Sequence, residues 1–299
     1  MKKLLICGAN GQLGVELQSI LASGVSDLGA IPGSYQGAQV VCTDVEELDI
    51  TDAEETLWFI RENAFDLIIN CAAMTNVDGC EEREEIAYRI NAVGPMNLAK
   101  AAQASGAKLV QISTDYVFSG DDNKEYAESD PVGPQSAYGR TKLAGELLAL
   151  ENCDKTFVIR TAWLFGARGP NFVLTMIDLA RKNGQITVVN DQSGNPTYAH
   201  DLAYAVLCIA DTSGYGVYHC TNKGVCSWFD FASAIVDEAG IECKKTPCTT
   251  EEFLRPAKRP VYSPLKNKRL ADGMGDKMRN WQDALSVYVE RLKADGVID

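Results

Sequence analysis

Histidine is scarce in this chain: His200 and His219 are the only two among 299 residues. Neither has a serine or cysteine at a recognisable catalytic spacing, so both are read as structural rather than as the base of a nucleophilic triad. Positive charge is also in short supply. Lysine and arginine total 28 against 41 aspartates and glutamates, for a net charge of −13. That balance argues against a general nucleic-acid or anionic-membrane surface. It still allows a local anion site made of backbone N–H groups and a few cations. No stretch reaches the ~18 apolar residues of a membrane helix. The start, "MKKLLICGANGQ", has four apolar residues before Gly8, short of the ~7–15 of a signal peptide. Ile6 is too bulky for a lipoprotein site at Cys7. Ten cysteines are present without one C-x-x-C pair, and Cys243 and Cys248 lack partners at zinc spacing. Cys7, Cys42 and Cys71 lie in or beside apolar runs, where free cysteine behaves as a small hydrophobe. Reduced thiols in a cytoplasmic protein are expected.

What is present is an ordinary globular composition, 46% apolar and 23% charged, with ample material for a core. The first half alternates strand-like and helix-like segments. "KLLIC", "AQVVCTD", "DLIINCA", "KLVQIST" and "KTFVIRT" read as five strands. Helical patterns lie between them: one from Gln12 to about Ser23, "DAEETLWFIRENA", and a long one interrupted near Gly94 and Pro95. Such alternation implies parallel strands joined by helical crossovers, an α/β doubly wound sheet of Rossmann type. Beyond Thr161 the pattern is mixed. A dinucleotide-binding domain over 1–163, with segments returning near 195–222, and a smaller mixed α/β substrate lobe over 164–299 are expected. "RPAKRPVYSPLKNKRL" is basic, proline-containing and expected to be irregular.

The first strand runs into "GANGQLG", with glycines at 8, 11 and 14. A tight turn, close backbone approach and a helix N-terminus are what a pyrophosphate requires. The spacing is G-x-x-G-x-x-G rather than the standard G-x-G-x-x-G. Val15 and Glu16 follow the last glycine, which excludes a Walker-type phosphate loop. Gly8, Asn10, Gly11, Gln12, Leu13 and Gly14 are therefore the expected cofactor cradle. Asp44 ends the second strand, where a carboxylate bonds a ribose 2′-OH and repels a 2′-phosphate. It lies 30 residues after Gly14, the excess being taken by "SGVSDLGAIPGSYQG", read as a long loop. No cation follows Asp44, which leans the choice towards NADH over NADPH. Ala72 and Ala73, after the third strand, are small enough for a flat cofactor to approach; helix packing explains them almost as well.

Tyr138 and Lys142, in "SAYGRTK", are four residues apart and share a helical face. Spacing alone does not decide their role, because Tyr262 and Lys266 in "YSPLK" repeat it around Pro264, where a regular helix is not expected. Context is more telling. "QISTDYVFSG" ends the fourth strand 24 residues before Tyr138. With the glycine triple and the lysine, this combination resembles an extended short-chain dehydrogenase/reductase. "VDGCEEREEIAYRINAVGPMNLAKAA", "RTAWLFG", "DQSGNPTYAHDLA" and "RP…S" near Arg259 narrow the resemblance to the dTDP-4-dehydrorhamnose reductases, along nearly the whole chain.

That resemblance implies reduction of the C4 ketone of dTDP-4-dehydro-6-deoxy-L-mannose by NADH or NADPH, with Thr114, Tyr138 and Lys142 as the catalytic group. The residue types suit the chemistry: a phenol can protonate a developing alkoxide, and a nearby ammonium stabilises the phenolate. Thr114 would hydrogen-bond the ketone oxygen, and Lys142 would also bind the nicotinamide ribose. Related dehydratases carry Asp-Glu after the threonine. Here Tyr116 takes the glutamate's place, which favours plain ketone reduction over dehydration. The resemblance places Tyr116 and Trp163 in the sugar pocket, though packing alone would also explain Trp163. Arg259 suits the diphosphate, or else a solvated surface cluster. Some relatives dimerise through magnesium held by glutamates. Glu16 stands near one such position, but the other ligands are not placed and no metal is predicted. A monomer or homodimer is expected. The competing readings are reduction of another 4-keto nucleotide sugar and a non-catalytic subunit like the relatives that bind a methionine adenosyltransferase.

Overall fold

The computed structural model describes residues 1–298. Six strands form its main sheet: β1 (Lys3–Cys7), β2 (Gln39–Thr43), β3 (Leu67–Asn70), β4 (Lys108–Thr114), β5 (Thr156–Thr161) and β6 (Gly216–His219). Their order is β6-β5-β4-β3-β1-β2, and every pairing is parallel. Leu4, Leu5, Ile6, Ile68, Ile69, Val158 and Ile159 have no exposed surface. Continuous rather than alternating burial is what a sheet covered by helices on both faces demands. Two hydrophobic clusters fill those faces. One joins β1 and β5 to the helices Gln12–Ser23 and Ala199–Asp211. The other joins Leu5 and Ile68 to Ile60, Leu98 and Ala102. Truncating any one of these core leucines or isoleucines to alanine is expected to cost about 2–5 kcal/mol.

Five strands fall where the apolar runs place them. The sixth, "GVYH", returns from the second half of the chain and closes the sheet beside β5. The glycine-rich stretch read as one long loop is more ordered. Val25–Ser26 pairs with Gly29–Ala30, and a 3-10 turn at Gly33–Tyr35 buries Tyr35. Its physical reason is the Tyr35 ring, an apolar body that packs into the first cluster. The helical pattern around Gly94 and Pro95 is not broken. A π-turn at Arg89–Val93 carries it through, between Glu84–Tyr88 and Gly94–Ser105. Pro95 is tolerated because it sits in the first turn of the segment that follows.

A third cluster lies away from the main sheet. Helices Phe172–Asn183 and Trp228–Glu238 pack on Gln185–Val189, which pairs in parallel with Lys244–Cys248, and helix Trp281–Ala294 packs on Trp228–Glu238. Between this group and the sheet runs an irregular stretch from Thr249 to Asn267. "YSPLK" lies in it and forms only isolated bridges, Ser193 with Tyr262 and Tyr126 with Leu265, so Tyr262 and Lys266 share no helix. All ten cysteines are unpaired. Among the described residues no helix is long and apolar enough to cross a membrane.

Candidate active site

In a parallel sheet, ligands bind outside the carboxyl ends of the strands. β1 delivers the glycine turn to that edge. Gly8 has φ +73°, and a Cβ there would lie 2.6 Å from the Ala72 nitrogen. At Gly14 a Cβ would stand 2.5 Å from the Gly8 carbonyl oxygen. Neither position accepts a side chain without moving backbone. Helix Gln12–Ser23 then begins with Gly11 as its N-cap, no side-chain cap and no acidic residue in its first turn. Some other helices close theirs with a side chain: Asp52 accepts from the Glu54 and Glu55 N–H groups, and Ser136 from Gly139. The bare N-terminus after Gly11 therefore keeps free donors and a positive dipole end for an anion.

Asp44 Oδ2 accepts from the Asn10 N–H at 2.9 Å, while its own N–H is capped by Glu47 at 2.8 Å. One carboxylate oxygen is tied to the turn, and the other has no hydrogen-bond partner among the described residues. Ala72 donates to Asn70 Oδ1 at 3.1 Å, which fixes Ala72 and the adjoining Ala73 beside Gly8. Buried unpartnered polar atoms add to the picture: Gln12 Oε1, and the hydroxyls of Ser113 and Thr161 near the ends of β4 and β5. Leu13 is buried beneath the turn in the core. It shapes the cradle from below. A dinucleotide fits this arrangement, with a side-chain-free turn, an uncapped helix and unused donors and acceptors along one edge.

β4 ends at Thr114, and the turn Asp115–Val117 starts immediately. Thr114 Oγ1 accepts from the Tyr116 N–H at 3.3 Å and donates to Asp115 Oδ1 at 3.0 Å. Facing it is helix Ala137–Asn152, whose start is pinned twice, by Ser136 on the Gly139 N–H and by Glu81 on the Ala137 N–H at 2.7 Å. Tyr138 and Lys142 lie one turn apart on that helix. The Tyr138 ring meets Tyr116 edge-on at 5.4 Å. Burial pushes the Tyr138 phenol above its ordinary value, and hydrogen bonding with Thr114 works the other way. Lys142 is buried and donates to the Ile112 carbonyl at 2.7 Å. Burial lowers its pKa from 10.5 to about 8, with Glu146 opposing the shift. Thr114, Tyr138 and Lys142 thus meet at the edge that carries the glycine turn.

Known relatives resemble this chain along nearly its whole length. Residues 1–294 match the model of the RmlD substrate binding domain. The chain belongs to this family. A dTDP-4-dehydrorhamnose reductase of Mycobacterium tuberculosis is 40% identical over 95% of this chain and 91% of its own. The crystal structure of a dTDP-4-dehydrorhamnose reductase from Clostridium acetobutylicum superposes with a TM-score of 0.92 at 49% identity, covering 97% of this chain and 99% of that one. The Bacillus anthracis dTDP-4-dehydrorhamnose reductase, solved in complex with NADP, gives 0.91 at 40% identity, covering 97% and 100%.

Within this RmlD-family site the other expected residues occupy varied settings. Tyr116 is half-buried beside Tyr138, its phenol pushed up by burial and by the Asp115 charge. Trp163 has φ +47°, in a left-handed region that a bulky residue rarely adopts. Trp228 stacks on its indole at 3.5 Å and 8°. Gly194 backs the ring too, since a Cβ there would lie 2.5 Å from Cε2. Trp163 is therefore held between two neighbours. Such strain persists only where the surroundings over-determine it, typically at binding sites. Arg259 is not a free cation: it forms a fork on Asp78 at 3.1 and 2.9 Å. That pair holds the Asp78 carboxyl below its usual range.

Asp78, Asp115, Trp228 and Ser263 were not singled out from the sequence, although "VDG" and "STD" contain the first two. Glu16, weighed as a metal-site neighbour, is buried and bonded to His200 Nδ1 at 2.8 Å. Among the described residues no three His, Cys, Asp or Glu side chains form a group able to hold a metal ion. His219 is buried with its Nδ1 against the Tyr126 carbonyl at 3.0 Å, and burial lowers its pKa to about 3.

Proposed function

We propose that this chain reduces the C4 ketone of dTDP-4-dehydro-6-deoxy-L-mannose to dTDP-L-rhamnose, with Tyr138 as the proton donor. The observation that carries the reading is the meeting of Thr114, Tyr138 and Lys142 beside an uncapped, side-chain-free glycine turn. Its relatives' names, dTDP-4-dehydrorhamnose reductase at 40–49% identity, supply the substrate class. Gly8, Gly11 and Gly14, with Asn10, Gln12 and Leu13 around them, would hold the pyrophosphate, Ala72 and Ala73 the flat face, and Asp44 a ribose hydroxyl. When bound, a dihydronicotinamide supplies the hydride that adds to the ketone carbon.

The chain's own residues do the rest. Tyr138 gives its phenolic proton to the developing alkoxide, which would otherwise stand as a charge in a poorly solvated site. Lys142, still largely protonated at pH 7 with a pKa of about 8, lowers the energy of the phenolate left behind. Its bond to the Ile112 carbonyl holds the ammonium against β4, on the same helix as Tyr138. Tyr116 and Trp163 would line the sugar. With tyrosine, not glutamate, after Asp115, the site lacks the second acid–base group that elimination of water requires.

The lobe around helices Phe172–Asn183 and Trp228–Glu238 is proposed to carry the nucleotide half, with the first 163 residues holding the cofactor. We favour NADH because no cation accompanies Asp44, while the Bacillus anthracis relative was solved with NADP. Arg259 would reach the diphosphate only by sharing or leaving Asp78. Incubating the purified chain with dTDP-glucose, the upstream dehydratase and epimerase, and NADH or NADPH tests the reading. Formation of dTDP-L-rhamnose is expected. Turnover only with a different 4-keto nucleotide sugar, or no oxidation of either cofactor, overturns it.

A further inference from the structure

Arg259 sits in the irregular stretch from Thr249 to Asn267, where no helix or strand fixes the direction of its side chain. Asp78 fixes it instead. Asp78 Oδ1 accepts from the Ala257 N–H and from Arg259 Nη1, both at 3.1 Å, and Oδ2 accepts from Nη2 at 2.9 Å. Nη1 also donates to the Ala257 carbonyl at 3.0 Å. The two side chains keep 21% and 23% of their surface exposed, so a ligand can reach the pair. After burial and the Asp115 charge, the Tyr116 phenol feels Arg259 and Asp78, which puts the pair beside the ring that meets Tyr138 edge-on.

A guanidinium carries five N–H donors, two on each Nη and one on Nε. Asp78 takes two of them and the Ala257 carbonyl a third. The Nε hydrogen and the second Nη2 hydrogen have no partner among the described residues. Those two lie along one side of the planar group, parallel and spaced for two oxygens of one phosphate. We propose that Asp78 is a positioning residue for the nucleotide sugar: it holds the end of the Arg259 guanidinium so that Nε and Nη2 present a fixed fork to the diphosphate. The bond to Asp78 persists when the diphosphate binds, and the guanidinium bridges the two anions. Fixing a long side chain beforehand lowers the ordering cost of binding. The helix that carries Asp78, Val77–Glu82, also carries Glu81, which accepts from the Ala137 N–H at 2.7 Å where the helix of Tyr138 begins. One short element therefore ties the diphosphate anchor to the proton donor and sets the spacing between them.

This inference rests on the reading of Arg259 as a diphosphate contact, so R259M is measured alongside as its control. The full chain, saturated with NADH, is titrated with dTDP and with thymidine, which lacks the diphosphate. D78A should raise the Kd for dTDP about 5- to 30-fold and leave that for thymidine within about twofold. D78N keeps the shape and one acceptor oxygen, guards against misfolding of D78A, and should raise the dTDP Kd about 3- to 10-fold with thymidine again unmoved. R259M should raise the dTDP Kd about 10- to 100-fold, and D78A should add nothing in that background, since Asp78 acts through Arg259. KM for the 4-keto nucleotide sugar should rise in step with the dTDP Kd. A lower dTDP Kd in D78A or D78N overturns the proposal, because Asp78 would then compete with the diphosphate. So does an unchanged dTDP Kd. An equal rise for thymidine overturns it too, by making Asp78 a structural tie, and so do additive losses with R259M. If R259M binds dTDP as wild type does, the parent reading fails. If R259M loses affinity while D78A does not, only this inference fails.

Discussion

Replacing Lys142 with methionine separates the stability of the site from its activity. Lys142 is 4% exposed, and burial takes its pKa from 10.5 to about 8. At about 1.4 kcal/mol per pH unit, keeping it charged at pH 7 costs the fold roughly 3 kcal/mol. Methionine removes that cost but also the bond to the Ile112 carbonyl, worth about 1 kcal/mol. That carbonyl is not orphaned, because Gln111 Nε2 also donates to it at 2.8 Å. K142M is therefore expected to be more stable by about 1–3 kcal/mol in urea denaturation at pH 7, while turnover falls at least about 100-fold. The sign with pH follows from proton counts. Between about 8 and 10.5 the unfolded lysine keeps its proton and the folded one does not, so wild-type stability rises through that window. The advantage of K142M should shrink over the same range. A K142M protein less stable than wild type, or an advantage unchanged from pH 7 to 10, would refute the burial argument.

Asp44 and Trp228 give two further tests. D44A removes the carboxylate oxygen left free for a ribose hydroxyl, so KM for NADH should rise roughly 10- to 100-fold and more than KM for NADPH. Equal changes for the two cofactors would remove Asp44 from the ribose. W228A uncovers one face of Trp163 and should raise KM for the nucleotide sugar roughly 2- to 12-fold, with KM for the cofactor unchanged. An unaltered KM for the sugar would make the stack a packing feature only.

The sequence carried much of this arrangement because its signals are local. Gly8 is required by its own left-handed turn and Gly14 by contacts within the same strand–turn–helix unit, while Tyr138 and Lys142 share one turn of one helix. What escaped depends on long-range pairing. Ser263 meets Asp115 across 148 positions, and Arg259 meets Asp78 across 181. Neither partner has a local pattern that names the other. Hence Arg259 reads from sequence as a cation for a diphosphate, and only the fold reveals the carboxylate already in its grip. Likewise β6 is four residues with no apolar run of its own, recruited to the sheet by the exposed edge of β5. Trp228 reads as an ordinary amphipathic helix residue until Trp163 is found stacked on it.

The most direct test of the central claim is turnover of the Y138F protein with dTDP-4-dehydro-6-deoxy-L-mannose under saturating cofactor. Tyr138 lies against Thr114 and one helical turn from the buried Lys142. Loss of its hydroxyl should cut kcat at least about 100-fold and leave the Kd for NADH within about twofold. Wild-type turnover in Y138F would contradict the account.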